Sequence, residues 1–138
     1  MKTKEEVLDF LQQNNCNQEL INKVKDSDGY DKIARSYERN GIESTELALQ
    51  HEKAKGGWDV YNIAWSYKEN GVEFTELALQ HEKAENGYHA FWIAKSYEEY
   101  GVKFTKLVLQ QKQVKNGHDV YHTDKQKIIL KILFDKFF

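Results

Sequence analysis

Residues 45–54 read TELALQHEKA, and residues 75–84 repeat them without a change. The duplication extends well beyond this stretch. Ile33-Ala34 returns as Ile63-Ala64 and Ile93-Ala94, and Ser36-Tyr37 returns as Ser66-Tyr67 and Ser96-Tyr97. Gly41-Ile42 returns as Gly71-Val72 and Gly101-Val102, and Gly57 as Gly87 and Gly117. A period of thirty residues sustained over three copies marks a repeat architecture, in which each unit covers its apolar face with its neighbours.

Within a copy the apolar spacing is helical. Val60, Ile63, Ala64 and Tyr67 fall at i, i+3, i+4 and i+7, the single stripe of an amphipathic helix. The spacing predicts a first helix over 59–70, closed by Gly71 where a residue of positive φ is wanted. Thr75 is placed to cap a second helix with Leu77, Ala78, His81 and Ala84 inward, ended by Asn86-Gly87. Ala34, Ala64 and Ala94 imply close contact between paired helices. The 138 residues contain no proline, which suits unbroken helices. The expected fold is all-α: an α/α helical-repeat stack forming a single domain over 1–138. It comprises an N-terminal cap (1–26), three helix pairs (27–56, 57–86, 87–116) and a C-terminal capping helix (117–138).

The two ends differ from the repeats. Thr3 and Glu6 have capping-box spacing ahead of Val7, Leu8, Phe10 and Leu11, with Asn14-Asn15 as the stop. Asn17 can cap a second short helix carrying Leu20, Ile21 and Val24. At the other end, Thr123 and Gln126 repeat the capping-box spacing before a segment, 125–138, that is apolar on more than one side. Such a helix is expected to cover the last repeat and to offer a further apolar side, to the groove or to a second chain in a homodimer.

These packing positions carry a resemblance. Ala90-x-x-Ile93-Ala94-x-x-Tyr97, then Gly101-Val102, with Lys83-Ala84-x-x-Gly87 closing the preceding copy, resembles the tetratricopeptide repeat. It is closer still to the Sel-like variant, whose helices carry Ala-x-x-Leu-Gly-x-x-Tyr and Lys-Ala-Ala endings. The resemblance covers roughly residues 27–122, in copies shorter than either family's usual repeat, as if by trimming the turn between helices. It implies a groove lined by the first helix of each pair, where ligands lie. The family's Lys and Asn carboxylate clamp is absent, because Asp31 and Arg35 stand where it would be in copy one. Recognition of a chaperone C-terminal tail is therefore not expected.

The residues beside the core stripe on the first helices are the candidate site. In copy two they are Trp58, Tyr61, Trp65, Lys68 and Glu69; in copy three, Tyr88, Phe91, Lys95, Glu98 and Glu99. Copy one offers Asp28, Asp31, Arg35, Glu38 and Arg39, and the incomplete fourth copy His118 and Tyr121. Aromatic rings are what binding hot spots favour. The partner-binding set is thus Trp58, Tyr61, Trp65, Lys68, Glu69, Tyr88, Phe91, Lys95 and Tyr121. These rings could equally be additional core, although Val60, Ile63, Ala64 and Tyr67 already supply a core face.

Catalytic chemistry finds no foothold. His118 and His122 are four apart on one helix face, but no Cys or Glu joins them to complete a metal site. His51 and His81 share a column whose third member is Gln111, an exchange that fits packing with a polar tip. Cys16 has no neighbouring base to activate it and rules out an internal disulfide framework. No glycine-rich phosphate loop is present, since the glycines punctuate helices at the repeat period. No enzyme, cofactor or metal is expected.

Charge then narrows the partner. The formal net charge of −2 argues against a dedicated DNA-binding protein. The blocks differ: 57–86 sums to −4 and 87–116 to +3. No secretory signal and no membrane-length apolar run is visible, so a cytoplasmic location is expected. The abundance of Lys, Asn, Tyr and Ile fits an AT-rich bacterial or phage genome. The function expected is a non-catalytic protein-binding module that neutralises a partner by occlusion, of the toxin-immunity or inhibitor type. An acidic second copy would suit a basic toxin or nuclease. The alternatives are a general adaptor scaffold and a single-stranded nucleic-acid binder; for the latter, Lys95, Lys103, Lys106, Lys112 and Lys115 would flank the aromatics, and the acidic second copy opposes it.

Overall fold

The computed structural model describes residues 2–16, 18–122 and 133–137. All regular structure among them is helical. In chain order the helices are α1 Lys4–Gln13, α2 Gln18–Lys25, α3 Ser27–Asn40, α4 Ile42–Leu49, α5 Gly57–Asn70, α6 Val72–Leu79, α7 Gly87–Tyr100, α8 Val102–Leu109 and α9 Gly117–His122. A short helical stretch covers 133–137. The first helices α3, α5, α7 and α9 pack in sequence on one another, and each eight-residue second helix packs against its own first helix and the next one. Two layers result, with one core running between them.

That core is the expected stripe. Val60, Ile63 and Ala64 are fully buried, and Tyr37, Tyr67 and Tyr97 are buried alike in the three copies. In the N-terminal cap, Val7, Leu11, Leu20, Ile21 and Val24 are buried. Thr3 Oγ1 accepts from the Glu6 N–H at 3.2 Å, and Glu6 Oε1 accepts from the Thr3 N–H at 3.2 Å, completing the capping box. That arrangement holds the Glu6 carboxyl below its ordinary value.

The shortening of the repeat is visible at two places. A single residue, Gly71, separates α5 from α6, with φ 88° and ψ 160°. This region is open essentially to glycine alone, and Gly41 and Gly101 repeat it. The second helices are also brief, at eight residues each. Here the structure corrects the sequence reading. The second helix of copy two starts at Val72 and ends at Leu79, so Thr75 lies inside it and does not cap it. His81 and Ala84 fall in the turn beyond. The physical reason is that the Thr75 hydroxyl has a better partner, the buried Ser66 Oγ at 2.6 Å. The same pair recurs as Ser36–Thr45 at 2.8 Å and Ser96–Thr105 at 3.0 Å. Each ties a first helix to its second helix across the glycine joint.

A second polar set ties one copy to the next. Asn40 Nδ2 donates to Ser36 Oγ at 3.1 Å and to the Tyr61 carbonyl at 3.2 Å. Asn70 Nδ2 does the same to Ser66 Oγ at 3.1 Å and the Phe91 carbonyl at 3.1 Å. Lys53 Nζ reaches the Leu79 carbonyl at the end of α6, and Lys83 Nζ the Leu109 carbonyl at the end of α8. His51 and His81 shape the turn from which these lysines project, each accepting the Lys N–H on Nδ1, at 3.1 and 3.0 Å. Neither grip continues past copy three, where Tyr100 and Gln113 stand in place of Asn and Lys.

The first helices also approach closely at their starts. A Cβ on Gly87 would lie 2.7 Å from the Asp59 carbonyl oxygen, and Gly57 and Gly117 meet the preceding copy in the same way. At the C-terminal end, Leu133, Lys136 and Phe137 line a cavity of about 390 Å³ beside Val102, Phe104 and Leu107 of copy three. Leu133, Phe134 and Phe137 remain 41%, 64% and 68% exposed, so this stretch meets the last repeat on one side only. Asn17, the Thr123–Gln126 capping box, the apolar run up to residue 132, and the side chains of Asp28 and His122 lie outside the described residues.

Candidate functional site

The first-helix layer presents a tract of rings in two groups, Trp58 with Tyr61, and Trp65, Tyr88, Phe91, Trp92, His118 and Tyr121. Three columns at the repeat period build it: Trp58, Tyr88 and His118; Tyr61, Phe91 and Tyr121; Trp65 and Lys95. The three members contributed by α5 fall at i, i+3 and i+7, one face of that helix.

Trp58 is 54% exposed and Tyr88 39% exposed. Trp58 meets Tyr61 edge-on at 5.8 Å between centroids, and the Lys32 ammonium lies 4.5 Å over the Trp58 ring. Trp65 is half-buried and stacks face to face on Phe91 at 3.6 Å, with planes 10° apart. Phe91 is only 3% exposed, so it supports Trp65 from beneath and presents little of its own surface. His118 stacks on Tyr88 at 5.6 Å. Such pairs contribute roughly 0.5–1.5 kcal/mol each beyond the area they bury, so the tract is a rigid surface.

The residue that joins the second group is one the sequence reading passed over. Trp92 lies 4.9 Å from Phe91, 6.4 Å from Trp65, 6.1 Å from Tyr88 and 4.8 Å from Tyr121. Its column reads Lys32, Asn62, Trp92, His122, polar everywhere else, and it sits between the core positions Ala90 and Ile93. The available signal was the Phe91-Trp92 pair: two successive rings cannot both belong to one narrow stripe.

Two charged members of the expected site, Lys68 and Lys95, are engaged with the stack itself. Lys68 Nζ donates to the Arg39 carbonyl at 2.7 Å, at the end of α3. Lys95 pairs with Glu99 at 3.2 Å and lies 5.7 Å over Tyr121, whose hydroxyl donates to Glu99 at 2.9 Å. Glu69 is exposed, as are Asp31, Arg35 and Arg39 in copy one. The acidic excess of copy two lies elsewhere: Glu73 and Glu76 are on α6, and Glu82 and Glu85 are in the turn after it. The aromatic face is therefore not itself the acidic one. His89, half-buried at the edge of the layer, has its pKa lowered by burial, opposed by Glu85.

No protein-family model, curated protein or solved structure matches this chain. The helical-repeat architecture rests on the chain's own periodic geometry. No described helix is long and apolar enough to cross a membrane.

Proposed function

We propose that this chain is a non-catalytic protein-binding module that neutralises a partner protein by occlusion, in the manner of an immunity protein or similar inhibitor. The supporting observation is the aromatic tract on the first helices. Trp58 at 54% and Tyr88 at 39% exposure project from this layer, Trp58 against Tyr61 and Tyr88 against Trp92, while a separate stripe fills the core. Exposed, pre-ordered aromatics lose little freedom on binding and are the residue types that dominate interface energetics. The Lys32 ammonium over Trp58 indicates what suits this face: a partner surface of apolar groups with a guanidinium or ammonium among them.

The nucleic-acid alternative draws less support from the geometry. Lys103 and Lys106 lie on α8, in the other layer, and Lys112 and Lys115 in the turn after it, so of the copy-three lysines named above Lys95 alone is on a first helix.

The test is co-expression with the neighbouring open reading frame, with a growth assay and affinity purification. One tight partner whose toxicity is abolished is the expected result. Trp58→Ala or Tyr88→Ala should weaken that complex by about 2 kcal/mol, roughly thirtyfold in Kd, at unchanged melting temperature. Protection that survives both substitutions places the site off this face. Several weak partners, none toxic, favour an adaptor.

A further inference from the structure

The second helices carry an outer stripe of their own, on the layer away from the aromatic tract. On α6 it consists of Glu73, Glu76 and Leu77, and on α8 of Lys103, Lys106 and Leu107. Glu73, Lys103 and Lys106 are exposed; Glu76 is half-buried, accepts from the Tyr67 hydroxyl at 2.5 Å and lies 3.5 Å from His51 Nε2, and the two leucines are half-buried against the core. The stripe therefore keeps its leucine from one copy to the next and reverses its charge at two successive positions. Copy one agrees with copy two in sign, with Glu43 and Glu46. Among the described residues no ion pair joins the α6 stripe to the α8 stripe.

We propose that two copies of this chain associate face to face through α6 and α8, about a two-fold axis parallel to these helices and midway between them. This axis lays α8 of one copy on α6 of the other, and the reverse, which is the self-complementary geometry of a two-fold dimer. Positions thirty apart in a regular repeat stand at the same height on their helices. Glu73 therefore meets Lys103 of the second copy, Glu76 meets its Lys106, and Leu77 meets its Leu107. Every contact occurs twice.

The charge pattern also excludes the neighbouring registers. An axis through α8 sets lysine on lysine, and one through α6 sets glutamate on glutamate. The latter axis is the one that would pair α4 with α8, so the contact of α6 with its own copy opposes that pairing. Like-charge contacts of this kind discriminate strongly between docking arrangements. Apolar area adjoins the leucines at both ends of the face: Val72 is 49% exposed, and Phe137, beside α8, is 68% exposed. The aromatic tract stays open in such a dimer, so this inference does not depend on the proposed function.

Sedimentation velocity on the full chain tests it. At tens of micromolar and about 50 mM salt a dimer is expected, and it should dissociate as salt rises to about 500 mM, where exposed charges are screened over a few ångströms. Glu73→Lys alone and Lys103→Glu alone should each weaken the dimer about tenfold or more. The double variant E73K/K103E should recover most of the loss, because it rebuilds both pairs with their signs exchanged. Both side chains are exposed, and thermal melts of the variants should match the parent. A monomer at low salt overturns the proposal, as does a dimer indifferent to the single reversals or not rescued by the double one. Oligomers that lengthen with concentration overturn it too, since they require a head-to-tail contact.

Discussion

Asn70 illustrates how much of the stack depends on single polar side chains. It is 5% exposed and its amide donates both to Ser66 within its own copy and to the Phe91 carbonyl of the next. Asn70→Ala removes two buried hydrogen bonds and should cost about 1–3 kcal/mol in chemical denaturation. Asn70→Asp should cost more, because a carboxylate would face the Phe91 carbonyl with no proton to offer. If both variants unfold at the parent's denaturant midpoint, the contact is replaceable by water. The sequence exposed the column but not its role. Ser66 was legible as a repeated residue, and Thr75 as a plausible cap. Their bond was not, because a threonine before an apolar run reads the same whether it caps a helix or sits within one beside another hydroxyl. Trp58 and Tyr88 were legible as rings beside a core stripe already complete, but the sequence left open whether they were groove or additional core. Trp92 was not, since its column is polar in the other copies.

At the scale of elements, the first helices were well marked, because their period and their closing glycine agree. The second helix of copy two was misplaced by four residues at the start, since its cap is Gly71 and not Thr75. A one-residue joint leaves no loop composition to read, and Gly71 at φ 88° serves both as the end of one helix and the beginning of the next. The end of each second helix is secured from outside. Lys83, from the turn after α6, donates to the Leu109 carbonyl and to Gln111 O at 3.3 Å, satisfying carbonyls that α8 leaves open and placing a cation at its negative end. Lys83→Met keeps the apolar stem and removes the ammonium. It should lower stability by about 0.5–2 kcal/mol, and amide exchange should quicken at the last turn of α8 more than in α5. Uniform acceleration across both helices would mean that the lysine acts through the fold as a whole.

The whole molecule should respond to pH through two histidines. Burial lowers the pKa of both His81 and His89 from the ordinary value of 6.5. Above that value both folded and unfolded chains hold them neutral, and their contribution to stability is complete. As pH falls through 6.5 the unfolded chain takes up protons first, so stability drops until the folded histidines protonate in turn. The melting temperature should therefore be level from pH 8 to about pH 7 and fall from there towards about pH 5.5. His81→Gln, which installs the residue copy three carries as Gln111, should shrink that fall; an unaltered slope assigns it to other groups. The architecture itself was legible because one thirty-residue pattern had to satisfy three environments at once. The C-terminal end was less so, because an end is defined by what it lacks. Copy three lacks the asparagine and lysine grips, having Tyr100 and Gln113 in their places. The stack consequently has a polarity of growth. A further copy of 57–86 inserted after residue 86 would inherit both grips and be held as firmly as its neighbours. The same copy appended after residue 116 would inherit neither, so lengthening of this molecule can proceed from its middle and not from its end.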